Sequence, residues 1–122
     1  ANTTGGQNVA IGYNSLASNT TGNYNFALGP TALDANVSGD NNIAIGRLAL
    51  QLSTADNNIA LGYSSGDNLT SGSKNIIIGA SIDFPSPPAS YQLNIGNIIF
   101  GTSVSGKVTN QATTVGTAIP EQ

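Results

Sequence analysis

The chain has 122 residues, six acidic and three basic side chains, a net charge of −3, and no Cys, His, Met or Trp. These counts exclude a disulfide framework, the usual zinc sites, a thiol nucleophile and a Ser-His-Asp triad. With only Arg47, Lys74 and Lys107 as cations, the chain cannot neutralise a phosphate backbone, so nucleic acid is not an expected partner.

Asn, Gly, Ser and Thr supply 56 of the 122 residues, while 7% are charged. Regularly placed Val, Ile and Leu set this composition apart from that of disordered chains and point to an ordered, Gly-punctuated β protein. No apolar run approaches the roughly 20 residues that span a bilayer, and the first residues carry neither a basic nor an apolar leader segment. Membrane insertion is therefore not expected.

The predicted elements form a repeat. In chain order, the pattern Asn-apolar-small-apolar-Gly occurs as Asn8-Val9-Ala10-Ile11-Gly12, Asn25-Phe26-Ala27-Leu28-Gly29, Asn42-Ile43-Ala44-Ile45-Gly46, Asn58-Ile59-Ala60-Leu61-Gly62 and Asn75-Ile76-Ile77-Ile78-Gly79. A degenerate copy follows as Gln92-Leu93-Asn94-Ile95-Gly96. The closing glycines are spaced 17, 17, 16, 17 and 17 residues apart. Seven residues before the closing Gly stands another Gly in four units (Gly5, Gly22, Gly39, Gly72), which marks a turn. Four residues after it come Leu16, Leu33 and Leu50, then Gly66, Asp83 and Phe100, an apolar column that decays towards the C-terminus. Each unit thus offers two short strands and two corners.

A unit of this length buries nothing alone, and a Gly or Asn every few residues opposes a helix. Stacking is the remaining solution. The expected fold is an all-β parallel β-solenoid of about six coils, with equivalent residues about 4.8 Å apart along its axis. Strand alternation places Val9, Ile11 and their equivalents on one face and Ala10, Ala27, Ala44 and Ala60 on the other. The large residues are expected to fill the coil interior, and the alanines to form a close subunit contact. A narrow roll without disulfide or metal has little interior for its surface, so oligomerisation is expected. The Asn column is expected to supply hydrogen bonds between coils, and the closing Gly to mark a corner needing positive φ or close packing. The repeat domain covers residues 1–101; 102–122 form an irregular extension leading to a stem, a cap or a next domain, and the chain is expected to be part of a longer polypeptide.

The repeats Asn-Val-Ala-Ile-Gly and Asn-Ile-Ala-Ile-Gly resemble the head repeats of trimeric autotransporter adhesins. They are still more similar to the variant in bacteriophage tail fibres, Gly-x-Asn-Asn-x-Ala-Ile-Gly-x-x-Ala-Leu, followed by a segment like Leu93-Asn94-Ile95-Gly96-Asn97-Ile98-Ile99-Phe100-Gly101. The resemblance covers residues 4–101 and implies a left-handed β-roll with three chains side by side. It further implies a rigid fibre shaft or head on the virion, joined to other tail-fibre segments, that binds a bacterial surface glycan or outer-membrane receptor. A bacterial adhesin head on the cell surface is the alternative. The 17-residue units are longer than those of the adhesin heads.

The candidate receptor residues are Tyr13 and Tyr63, which follow closing glycines, and Phe84 and Tyr91, in the Pro-containing segment 83–91. Aromatic rings at corners can stack on sugars or pack on a neighbouring chain. The segment 83–91 leaves the sheet, because proline prevents ladder pairing, and reads as a cap or a receptor loop. Asp40 and Asp56 share a column, as turn residues or as ligands of a cation. No cofactor, metal or enzymatic activity is expected, since nothing supports a glycosidase beyond paired carboxylates. Ice binding is a further alternative, suggested by the threonine pairs Thr3-Thr4 and Thr20-Thr21.

Overall fold

The computed structural model describes residues 2–97 and 99–102, the last four by their backbone alone. Six parallel strands recur at the predicted positions: β1 (Val9–Ile11), β2 (Phe26–Leu28), β3 (Ile43–Ile45), β4 (Ile59–Leu61), β5 (Ile76–Ile78) and β6 (Gln92–Ile95). They pair in chain order, with Val9 opposite Phe26, Phe26 opposite Ile43, Ile43 opposite Ile59, Ile59 opposite Ile76 and Ile76 opposite Leu93. A seventh strand, β7 (Ile99–Thr102), turns back antiparallel on β6. The chain is a parallel β-solenoid of about five turns, so like stacks on like. The predicted extension over 102–122 lies outside the described residues, apart from Thr102.

Among the described residues, each coil contains one three- or four-residue parallel strand rather than two. The second apolar column lies in a turn, where Leu16, Leu33 and Leu50 take left-handed conformations with φ of 52°, 52° and 49°. Two further columns, Gln7-Tyr24-Asn41-Asn57-Lys74-Tyr91 and Asn14-Thr31-Leu48-Ser64-Ser81, also have positive φ. Such conformations cost roughly 1–2 kcal/mol per non-glycine residue, so the regular stack must over-determine them. The closing glycines have a different constraint. At Gly12, with φ of 130°, a Cβ would lie 2.6 Å from the carbonyl carbon of Gly29 in the next coil. Both expected reasons for glycine therefore apply there.

The strands point the opposite way from the sequence expectation. Ala27, Ala44, Ala60 and Ile77 are fully buried, whereas Ile11, Leu28, Ile43, Ile45, Ile76 and Ile78 are exposed. The reason is the narrowness of the coil. Its interior is already filled from the turn by Leu16, Leu33 and Leu50, together with Ala32 and Ala49, which leaves the strand room for a methyl group. Ala27, Ala44 and Ala60 are thus core residues and not a subunit contact; Ala10, in the first coil, is exposed.

Gly66 replaces the next Leu of that interior column. The lost volume is restored by Ile77, which stands where earlier coils have Ala, and by the Phe84 ring. A Cβ on Gly66 would meet Phe84 Cε2 at 2.8 Å and Ile77 Cγ2 at 3.1 Å.

Buried amides bind the coils as expected. The Asn8 side-chain oxygen accepts the Asn25 backbone N–H at 2.9 Å, and the same bond recurs from Asn42 to Asn25, Asn58 to Asn42, Asn75 to Asn58 and Gln92 to Asn75. The amide nitrogens of Asn8, Asn25, Asn42, Asn58 and Asn75 donate to the carbonyls of Gly22, Gly39, Ala55, Gly72 and Ala89. Among the described residues, Ser65 Oγ is the one buried side-chain polar atom without a partner. A polar interior of this kind is tolerable only when it is satisfied.

Candidate functional site

The outward strand columns create a continuous apolar surface. Its first column is Val9, Phe26, Ile43, Ile59, Ile76 and Leu93; its second is Ile11, Leu28, Ile45, Leu61, Ile78 and Ile95, with none of them fully buried. Ile45, in the middle of the rod, keeps 36% of its surface exposed and Ile11 keeps 56%. Isolated surface hydrophobes need no explanation, but an uninterrupted ladder two residues wide is a candidate interaction surface. Strand alternation alone puts these residues on one face, and the period of the coil aligns them along the axis.

Tyr13 and Tyr63 stand in the column just after this surface, 77% and 47% exposed. The Arg47 guanidinium lies 5.9 Å from the centre of the Tyr63 ring, on the adjacent coil. On the other border, Lys74 Nζ donates to the Tyr91 hydroxyl at 2.9 Å and lies 5.0 Å from the ring centre. Tyr91 is accordingly half-buried. Tyr24, which the sequence reading did not single out, belongs to the same column and is exposed. Its position five residues before a closing Gly was the available signal.

Phe84 is not a surface residue. It is 2% exposed, because its ring fills the space over Gly66, and it cannot contact a receptor in the folded chain. The segment around it is pinned inward: Gln92 Nε2 donates to the carbonyls of Ser86 at 2.7 Å and Ala89 at 2.9 Å, and Gln92 Oε1 accepts the Ser86 N–H at 3.0 Å. Asn94 donates to the Asp83 carbonyl at 2.8 Å. These contacts give the segment 83–91 a packing role within the stack, between β5 and β6, rather than over its end.

Asp40 and Asp56 do neighbour each other, but as links in a corner ladder. Asp40 accepts the Asn23 N–H at 2.6 Å, Asp56 accepts the Asp40 N–H at 2.8 Å, and Ser73 Oγ accepts the Asp56 N–H at 3.3 Å. Their oxygens therefore serve the backbone. Asp67 and Asp83 form a second pair. Partial burial raises the Asp83 carboxyl above its ordinary value; the Asp67 charge and a hydrogen bond with Asp67 push the same way, against a bond from the Asn68 backbone. Among the described residues, no group of three or more acidic, His or Cys side chains could hold a metal ion. The hydroxyls of Thr3, Thr20 and Thr54 donate to carbonyls of the following coil at 3.1, 3.2 and 3.2 Å.

Among the described residues, no helix is long and apolar enough to cross a membrane. Comparison with protein-family models, curated proteins and solved structures finds no match for the chain.

Proposed function

We propose that this chain is a segment of a bacteriophage tail fibre, in which three copies pack side by side through their apolar strand faces into a rigid shaft or head that binds a bacterial surface polysaccharide. The observation that carries this reading is the uninterrupted ladder of exposed or half-buried Val, Ile, Leu and Phe on a sparsely charged, hydroxyl- and amide-rich rod. A partner for that ladder must repeat along the axis with the same spacing in order to meet every coil. A second copy of the chain does so by construction, and three faces can close around one axis. The three-fold number and the virion setting rest on the resemblance of the repeats; a bacterial adhesin head would use the same face.

Receptor contact falls to the corners, since the strands are committed to stacking. Tyr13 and Tyr63 are the candidates there, and their rings suit sugars, which accept stacking and many hydrogen bonds without basic side chains. Three copies per fibre add weak single contacts through avidity.

The test has two parts. Sedimentation should give about three times 12.2 kDa for the native chain and a folded monomer for Ile45→Asp. The trimer should bind host polysaccharide with little dependence on salt and lose that binding on Tyr13→Ala with Tyr63→Ala. A native monomer at micromolar concentration overturns the assembly; binding unchanged by the double substitution overturns the receptor site.

A further inference from the structure

The apolar face has two borders. One is the column five residues before each closing Gly, the other the residue just after it. Across the six sequence repeats, the aromatic and cationic side chains at these borders are Tyr13, Tyr24, Arg47, Tyr63, Lys74 and Tyr91, one in each repeat. The other border position of the same repeats, in the same order, holds Gln7, Pro30, Asn41, Asn57, Ala80 and Asn97. No repeat has an aromatic ring or cation on both borders, and none lacks one. All twelve positions are exposed except Tyr91, which is half-buried under Lys74. Nothing within one chain demands this alternation, because the two borders of a coil are separated by the whole width of the strand, roughly 15–20 Å for six residues of near-extended backbone.

Rotation about an axis parallel to the rod supplies the demand. Such a rotation leaves height along the axis unchanged, so every coil faces the equivalent coil of its neighbour. The contact is heterologous, one border of the first copy against the opposite border of the next. Two rings or a ring and a cation from the same level would then compete for one space, whereas one large and one small residue fill it.

We propose that the borders meet coil by coil between neighbouring copies, Lys74 against Ala80 of the partner subunit and Tyr63 against Asn57 of the partner subunit, forming seams in which each large side chain occupies the gap left by a small one. This rests on the side-by-side assembly proposed above and adds its register. It also makes the receptor site composite: Tyr13 and Tyr63 lie along a groove shared by two chains. The acidic residues Asp34, Asp40, Asp56, Asp67 and Asp83 stand outside both border columns, so no carboxylate has to be buried in a seam.

Because the chain contains no cysteine, paired substitutions give a clean readout. The variant Lys74→Cys with Ala80→Cys should, on mild oxidation, run as a covalent trimer on a denaturing gel. Either single substitution should stay monomeric there, since equivalent columns do not meet and the two positions of one chain exceed the reach of about 7 Å between Cα atoms that a disulfide allows. As a second arm, Asn57→Tyr should weaken association about tenfold or more without changing the circular dichroism, and Tyr63→Asn added to it should restore association by exchanging the large and small partners. A native protein that sediments as a trimer but does not cross-link, and in which the exchange fails to rescue Asn57→Tyr, overturns the seam and leaves the assembly standing. A native monomer overturns both.

Discussion

The coils that carry β1 to β4 and the region from Gly66 to Asn97 build the same cross-section from different residues. In the first, Leu33 and Leu50 fill the interior from the turn while Ala27, Ala44 and Ala60 leave them space. In the second, the leucine column gives Gly66, and the volume arrives from Leu69 and Ile82, from the strand at Ile77 and from the following coil at Phe84. What the coil preserves is therefore filled volume rather than any one column. Close packing makes this exchange compulsory, because an unfilled interior loses contacts and an overfilled one is strained.

The comparison is broken most strongly by charge on the strand. Ala44→Glu should unfold the rod, since a carboxylate would enter a sealed interior without a partner, at a cost of several kcal/mol. Ile45→Asp, one residue away, should keep the fold and lose assembly. Urea unfolding of both variants, with sedimentation, checks the assignment of faces; if their behaviours were exchanged, the alanines would be the outer surface.

Next in size is the substituted filling. Phe84→Ala should cost about 3–5 kcal/mol through the cavity it leaves. Gly66→Leu alone should also destabilise, by clashing with Phe84. Combined with Phe84→Ala it should recover part of the loss, because Leu16, Leu33 and Leu50 already tolerate the left-handed backbone there. A double-mutant cycle in denaturant measures this coupling, and strict additivity would contradict the volume exchange.

Asn42→Ala tests the hydrogen bonds of the regular region. It removes the acceptor of the Asn58 N–H and the donor to the Ala55 carbonyl, both inside the stack. Each buried group left unpaired costs about 1–3 kcal/mol. Amide exchange at Asn58 should accelerate more than at Gln92, three coils' worth of ladder away from Asn42.

The smallest effect belongs to the Asp67–Asp83 pair of the irregular region. The Asp83 carboxyl is raised in the folded chain, so the folded state holds its proton more tightly than the unfolded one. Its favourable contribution is complete below the unfolded carboxylate value and is lost as pH rises through the raised folded value. Asp83→Asn should thus be more stable than the native chain at pH 7, and that advantage should vanish on acidification. Melting temperatures of both proteins between pH 7 and pH 3 decide it; an advantage independent of pH would assign the gain to something other than the shared proton.

The period, the strand positions and the amide ladder were legible in the sequence, because each depends on residues recurring at a fixed interval. The direction in which the strand faces was not read from alternation, which is symmetric between the two sides. The signal that settles it was nevertheless present: Leu50 gives way to Gly66 where Ala60 gives way to Ile77, and only columns lining one interior need to exchange volume. Phe84 was misplaced for a related reason. Its prolines correctly removed the segment from the sheet, but leaving a sheet does not mean leaving the core, and the vacancy above Gly66 lies a coil away in sequence. The border alternation, for its part, has meaning only once the two borders are known to flank an exposed face.

The amide ladder also gives the rod a direction of growth. The side-chain oxygens of Asn8, Asn25, Asn42, Asn58 and Asn75 each receive the backbone N–H of the coil that follows, and their nitrogens reach forward to that coil's carbonyls or, at Ala55 and Ala89, to the equivalent corner. A finished coil thus presents a ready set of partners to the next stretch of chain, some 17 residues later, and every new coil closes a loop of the same modest length. Folding can follow synthesis from the N-terminal side as a zipper, each turn serving as the mould for its successor.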